Sequence, residues 1–284
     1  MIAVRRGIAR RVDALLGSGL GSGLGSGEVA AARPDGDHGL FGPGSASWVV
    51  HGDFSSMVIG GVSALLMQML HPAALAGVWD HSGFRRDMAG RLKRTARFVG
   101  VATYGSTPAV EAAVARVRRV HGRVRGHLPD GTPYAADDPA LLTWVHAAEV
   151  DAFLRAHLRY RDPWFPGAEQ DRYLREQARL ARMLGAADVP ESRAGLAAYF
   201  ARVRPALRAD ARTREVSRLM LAQPSPSLAT APANAVMLRA GVELLPGWAR
   251  RMHGLSVPFP GAIGVRMGAL GVGGVLRWAM TRRG

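Results

Sequence analysis

The sequence predicts an all-α fold, a single domain of roughly eight to ten helices around a buried cofactor pocket. No segment shows the sustained apolar–polar alternation with β-branched residues that a half-buried strand needs. Apolar residues instead recur every three or four positions through most of the chain after Trp48. With 284 residues, 48% of them hydrophobic, the chain is long enough to bury one large core.

The predicted helices are bounded by candidate caps and prolines. Asp53 is a candidate N-cap for the helix over residues 55–70. Pro72 ends that helix, because the residue before a proline is pushed out of helical geometry. Pro108 and Pro139 suit the first turn of a helix. The predicted helices cover residues 55–70, 72–80, 84–104, 108–128, 139–160, 168–185, 191–210, 212–222, 231–244 and 264–281.

The N-terminal part differs from the rest. Residues 1–47 form a basic segment with a Gly/Ser-rich linker, GSGLGSGLGSG over residues 17–27, and the helical domain covers 48–284. Asp13 and the Gly/Ser run spoil an export signal, which favours a cytoplasmic location. A basic amphipathic helix over residues 2–16 is expected to pack on its own domain or to make weak contact with a membrane surface.

Composition excludes several classes of chemistry. The chain has no cysteine, so it holds no disulfide, thiolate metal site or iron–sulfur cluster. Its 37 basic and 22 acidic residues give a net charge of +15, which attracts anionic partners. Nucleic acid is not expected among them, because no recognition motif is present. Phosphate-binding loops and the HExxH motif are also absent.

His121 is a candidate ligand or a hydrogen-bonded core histidine. It lies four residues after Val117 and three before Val124, on the inward face of the 108–128 helix. An imidazole in a core must find a partner for its nitrogens. That partner is a backbone carbonyl, another side chain or a metal.

Two further histidines border apolar faces. His146 and Glu149 lie one turn apart on the 139–160 helix, which suits an acid/base or metal-ligand pair, or an ion pair at the edge of the face. His71 stands at the end of the most apolar helix, where the helix dipole would favour its protonated form.

An arginine-rich segment, FRRDMAGRLKRTARF, holds six cations between Arg85 and Arg97. Arg91, Arg94 and Thr95 share one helix face. The segment is either a solvated basic face or a clamp for carboxylates or phosphates, which guanidinium groups bind bidentately.

The order of these motifs resembles the MpaB-like oxygenase family, which includes the bacterial rubber oxygenases, or latex clearing proteins. The motifs are GDFSS, HPAALAGVWDHSGF, RLKRT, RRVHGRVRG and YAADDPALLTWVHA, spread over about residues 48–255. The resemblance implies an all-α fold holding one haem b (iron) that activates O₂. It places the proximal metal ligand on His121, and it gives Arg91, Arg94 and Thr95 catalytic or haem-binding roles.

The chain departs from the rubber oxygenases in two ways. Arg94 stands where they have a lysine that can occupy the distal iron site, and guanidinium hardly ever loses its proton to become a ligand. Their proposed catalytic glutamate has no counterpart between His71 and Val78. The expected partners are therefore O₂ and a small hydrophobic alkene or aromatic substrate rather than polyisoprene, with His71 and His146 as candidate distal or acid/base groups.

Two other functions remain open from the residues alone. One is a non-haem iron or zinc enzyme with His71, His146 and Glu149 around the metal. The other is a helical protein that binds haem or lipid without chemistry.

Overall fold

The all-α prediction is confirmed. A computed structural model describes residues 36–225 and 227–280. Within them lie twelve α-helices and a single two-stranded hairpin. The predicted helix over residues 2–16 and the Gly/Ser tract lie outside the described residues.

The helices are numbered in chain order. They are α1 Ala46–His51, α2 Phe54–Gln68, α3 Pro72–His81, α4 Met88–Tyr104, α5 Thr107–His121, α6 Pro139–Tyr160, α7 Gly167–Leu184, α8 Arg193–Val203, α9 Ala211–Leu221, α10 Ala231–Leu244, α11 Gly247–His253 and α12 Gly261–Met280. The antiparallel strands β1 Arg125–His127 and β2 Pro133–Ala135 connect α5 to α6.

Several predicted boundaries were wrong. The helix that contains Pro108 ends at His121 and not near residue 128, because the chain turns at Gly122 into the β-hairpin. The arginine-rich helix starts at Met88, where Asp87 caps it by accepting a hydrogen bond from Gly90 N at 2.7 Å. Helices α1 and α11 were missed because six or seven residues are too few to show an apolar repeat.

Helices α2 and α6 cross at the centre of the molecule. Gly60 of α2 lies so close to α6 that an added Cβ would come within 2.7 Å of the Phe153 ring. The longest apolar run of the sequence is therefore a buried core helix, as predicted. No single described helix is long and apolar enough to cross a membrane; only α2 and α3 pass that test, as a pair bent by 102°.

The hairpin fixes the end of α5 against α3. Tyr134 of β2 donates a hydrogen bond to Asp80 at 2.7 Å, and the His81 ring contacts the Arg125 carbonyl at 3.1 Å. A Cβ on Gly77 of α3 would lie 3.5 Å from the Val124 side chain. These contacts position His121, the last residue of α5.

Candidate active site

His121 is half-buried at the C-terminal end of α5. Burial lowers the pKa of His121 most, and the charge of Arg91 lowers it further, while Asp137 acts in the opposite direction. Arg91 and His121 are therefore close enough to interact electrostatically. Within the part of the chain that the structure describes, the His121 ring makes no hydrogen bond. It presents a neutral imidazole, the form that ligates metals.

Arg91 lies in the second turn of α4 and is half-buried. Burial lowers the pKa of Arg91, and the nearby charge of Arg94 lowers it further. It makes no ion pair with any carboxylate in residues 36–225 and 227–280. Burying a guanidinium without a carboxylate partner costs free energy, because its hydration is lost and not replaced. Its N–H donors are therefore available to a bound anion.

Arg91 lines a small cavity of about 20 Å³ between α2, α3, α4 and α9. Apart from this one cation the walls are apolar. They are formed by Leu65, Met69, Val78, Met88, Leu92, Val216 and Met220. Flexible methionines are well suited to line a pocket that changes its shape.

The other two members of the arginine motif lie on the surface. Arg94 is exposed and pairs with the exposed Asp87 at 3.3 Å. Thr95 is exposed, and its hydroxyl donates back to the Arg91 carbonyl at 3.2 Å. The shared face predicted from spacing thus runs from the interior at Arg91 to solvent at Arg94 and Thr95.

His71 does not stand at a helix C-terminus, and the prediction that a helix dipole favours its protonated form was wrong. Helix α2 ends at Gln68, and His71 occupies the N-cap position of α3. Burial lowers the pKa of His71, against an opposing effect of Asp138. Its Nδ1 is buried without a hydrogen-bond partner, and its ring lies 6.0 Å from that of Trp144.

His146 lies away from His71. It follows Trp144 by two residues, about 200° around α6, and the charge of Arg182 on α7 reaches it. Burial first and Arg182 second lower the pKa of His146 to about 4, and its Nε2 has no partner.

Glu149 does not form the ion pair considered from the sequence. Burial raises its pKa to about 7, and no hydrogen bond or ion pair joins it to His146 among the described residues. No three His, Asp or Glu side chains in residues 36–225 and 227–280 are grouped to hold a metal ion. The described residues therefore do not support a metal between His71, His146 and Glu149, because the His71 ring lies beside Trp144, whereas His146 lies about 200° from Trp144 around α6.

Two buried histidines that spacing did not single out have structural roles. His51 contacts the Thr103 hydroxyl through Nδ1 at 2.8 Å and the Tyr173 hydroxyl through Nε2 at 2.9 Å. Burial lowers the pKa of His51 to about 3. His253 contacts the Leu66 carbonyl at 2.8 Å and the Ser217 hydroxyl at 3.2 Å. Both rings have the partners that a buried imidazole needs.

A third buried histidine lies beside the larger cavity. His157 of α6 is 1% exposed, and neither ring nitrogen has a hydrogen-bond partner. It lines a cavity of about 540 Å³ together with Trp48, Val49, Gly52, Tyr104, Arg161 and Asp162. Burial lowers its pKa, mainly against the opposing charge of Asp162. Sequence reasoning missed it, although it follows the inward-facing Phe153 by four residues, the same spacing that identified His121.

Comparison with protein families gives the class of the protein. Residues 48–278 match a family of oxygenase catalytic domains. The family is described as ER-bound oxygenase mpaB/B'/Rubber oxygenase, catalytic domain, and the chain belongs to it. No curated protein and no solved structure matches the chain. The resemblance drawn from the motifs is confirmed, and with it the assignment to the oxygenases.

Proposed function

We propose that the protein is a haem b-dependent oxygenase that acts with O₂ on a small hydrophobic alkene or aromatic substrate. The observation that carries the proposal is the pair at the start of α4 and the end of α5. His121 supplies a neutral imidazole that makes no hydrogen bond among the described residues. Arg91, a half-buried guanidinium with no carboxylate partner among those residues, lies within electrostatic reach of it.

The donor set fits a haem. Haem iron takes a neutral imidazole as proximal ligand, and the propionates need cations. His121 and Arg91 supply one of each, and the apolar residues around Arg91 suit the macrocycle. The cavity at Arg91 measures about 20 Å³, whereas small-molecule pockets measure roughly 300–1,000 Å³. Haem binding beside Arg91 therefore requires the helices around this cavity to move apart.

Each residue has a defined task in this proposal. A bound haem supplies the redox-active iron that O₂ chemistry requires. His121 would hold the metal through a ring nitrogen that burial keeps unprotonated. Arg91 would hold a propionate or stabilise negative charge in the pocket. The methionine and leucine side chains beside Arg91 would contact the macrocycle and exclude water from it.

Support for a catalytic role is weaker for the four other candidates, Arg94, Thr95, His71 and His146. Arg94 already has Asp87 as its partner, and the Thr95 hydroxyl is bound within its own helix. His71 is within electrostatic reach of Asp138, and His121 is within reach of its neighbour in the sequence, Asp137. His71 is therefore a better candidate for a distal acid/base group than His146.

One observation favours a second placement of the cofactor. The cavity beside His157 has the volume of a small-molecule pocket, about 540 Å³, and its histidine is neutral and unpaired. Arg161 and Asp162 at its wall have opposite charges, so the wall offers less net attraction to propionates than Arg91 does.

The test is haem content and oxygen uptake. The full chain, expressed with a haem precursor, should carry about one haem b per chain by pyridine haemochrome. It should also consume O₂ when supplied with short-chain terpenes or styrene derivatives. Haem without substrate-dependent O₂ uptake would leave a haem-binding protein without chemistry, and a chain without haem would reject the proposal.

A further inference from the structure

The C-terminal helix α12 presents large apolar side chains to solvent. Ile263 is 50% exposed, Met267 63% and Trp278 46%. At about 100° per residue these three positions lie within about 60° of one another around the helix. Phe259, 80% exposed, precedes the helix, and Leu270 and Val275 flank the stripe. We call Phe259, Ile263, Met267, Leu270, Val275 and Trp278 the outer face of α12.

The inner face of α12 packs Val265 and Val272 against the core, and its fully buried positions are small residues. Ala269 and Gly273 are buried, and a Cβ on Gly273 would come within 2.8 Å of the Ser55 hydroxyl. A helix at the surface of a soluble protein normally buries its large apolar residues. Here α12 is apolar on both sides, and burial in the fold accounts only for the inner one.

Two ion pairs prevent α12 from turning its outer face inward. Arg266 donates to the Glu243 carboxylate at 2.6 Å, and Arg277 donates to Asp53 at 3.0 Å. Both acids are 4% exposed. Among the described residues, rotation of the helix would leave Glu243 with Arg159 as its one remaining cation and Asp53 with only its hydrogen bonds from Ser55 and Ser56. Loss of a partner of a buried charge is unfavourable.

Positive charge is concentrated in the part of the sequence that contains α12. Arg250 and Arg251 lie at the end of α11, and within the described residues neither forms an ion pair. Arg282 and Arg283 follow α12 in the sequence. From residue 222 to the C-terminus the sequence contains seven arginines and only one acid, the buried Glu243.

We propose that the outer face of α12 docks on an anionic lipid surface. The apolar side chains enter the region between headgroups and acyl chains, aromatic residues stand at the two ends of the stripe, and the excess of arginine in this part of the chain attracts the lipid phosphates. A second copy of the chain fits the face less well, because it would bring two arginine-rich segments together with no acid on α12 to separate them.

Binding to vesicles tests the proposal on the full chain. The protein should sediment with phosphatidylcholine/phosphatidylglycerol vesicles at a 7:3 ratio, more weakly with pure phosphatidylcholine, and less at high salt. The variant I263Q/M267Q/W278Q should lower the partition coefficient at least tenfold. The matched control W164Q/L228Q changes side chains that are 89% and 95% exposed elsewhere and should bind like the wild type.

A second readout reports direct contact. Brominated phosphatidylcholine in the same vesicles should quench tryptophan fluorescence, and W278F should lose more of the quenching than W164F. Circular dichroism should confirm that every variant is folded, which is expected because all the changed side chains are exposed.

Three results would overturn the proposal. The first is wild-type protein that fails to bind the anionic vesicles. The second is equal binding by I263Q/M267Q/W278Q and the wild type, with loss of binding only in R5E/R6E/R10E/R11E, which would assign the contact to the N-terminal segment. The third is a wild-type dimer by light scattering that the α12 variant dissociates without any change in lipid binding.

Discussion

The Arg91–His121 cluster and the His157 cavity differ in what each offers to a cofactor. The cluster has the chemistry, a neutral imidazole and an unpaired guanidinium, but the cavity beside Arg91 measures only about 20 Å³. The His157 cavity has the room, about 540 Å³, and a single unpaired imidazole among aromatic and mixed-charge walls. A search by volume and a search by donor chemistry therefore lead to opposite ends of α4, Tyr104 and Arg91.

Charge favours the Arg91–His121 cluster over the His157 cavity as the haem site. A haem brings two propionates, and desolvated carboxylates need fixed cations. Arg91 is a desolvated cation whose own field already disfavours a proton on His121. Arg161, at the other cavity, is exposed to water and adjoins Asp162 in the sequence. Volume can be gained by side-chain and helix movement, whereas an absent charge cannot.

The largest expected effect is that of Arg91→Leu. If Arg91 serves a bound anion, turnover should fall by roughly two to four orders of magnitude, at about 1.4 kcal/mol per factor of ten. The free energy of unfolding without haem should stay unchanged or rise by up to about 1 kcal/mol, because the variant removes an unpaired buried charge. Steady-state O₂ uptake and urea denaturation measure the two quantities.

Two matched variants test whether the effect of Arg91→Leu is specific to the position and to the guanidinium group. Arg97→Leu changes an exposed arginine of the same helix and should leave both quantities within experimental error. Arg91→Lys keeps the charge without the bidentate fork and should recover part of the activity. Equal, small effects of Arg91→Leu and Arg97→Leu would mean that the segment is only a basic surface.

His51→Ala should separate a structural histidine from a ligand. It removes both contacts of the ring and leaves the Tyr173 and Thr103 hydroxyls with one partner fewer, which should lower the free energy of unfolding by about 2–4 kcal/mol. Haem content per folded chain should not change. A selective loss of haem with unchanged stability would place the cofactor beside α1.

Glu149→Gln should change the pH dependence of stability. The folded pKa of about 7 is above the ordinary value of 4.5, so the folded state holds a proton that the unfolded state loses in this window. The contribution of Glu149 to stability is therefore full below pH 4.5 and is lost as the pH rises towards 7. The variant should be more stable than the wild type at pH 8 by about 1–3 kcal/mol and equal to it at pH 4.

Urea denaturation at the two pH values measures this difference. Glu149→Leu, which removes the carboxyl altogether, is a further comparison at pH 8. Reduced O₂ uptake by Glu149→Gln at unchanged stability would instead assign this carboxyl to the reaction.

The smallest effects belong to Arg94 and Thr95. Arg94→Gln removes an exposed ion pair, which contributes about 0.2–1 kcal/mol, and Thr95→Val removes a hydroxyl that bonds only to its own helix. Turnover should change less than twofold in each. A loss of activity comparable to that of Arg91→Leu would restore both residues to the site that their spacing suggested.

The sequence predicted the helices that end at prolines and capping residues, and the family through its motifs. It could not place His157, because an apolar face looks the same whether it meets another helix or a cavity. It misjudged His71, because the end of α2 at Gln68 is set by tertiary packing. It grouped Arg91 with Arg94 because helical spacing gives a shared face but not the depth at which that face is buried.

The most direct measurement compares haem loading of His121→Ala and His157→Ala by pyridine haemochrome and the Soret band. If His121 is the ligand, His121→Ala should lose most of its haem. His157→Ala should keep about one haem per chain, and added imidazole should partly restore the spectrum of His121→Ala. Full haem in His121→Ala together with loss of haem in His157→Ala would contradict the assignment and place the cofactor in the 540 Å³ cavity.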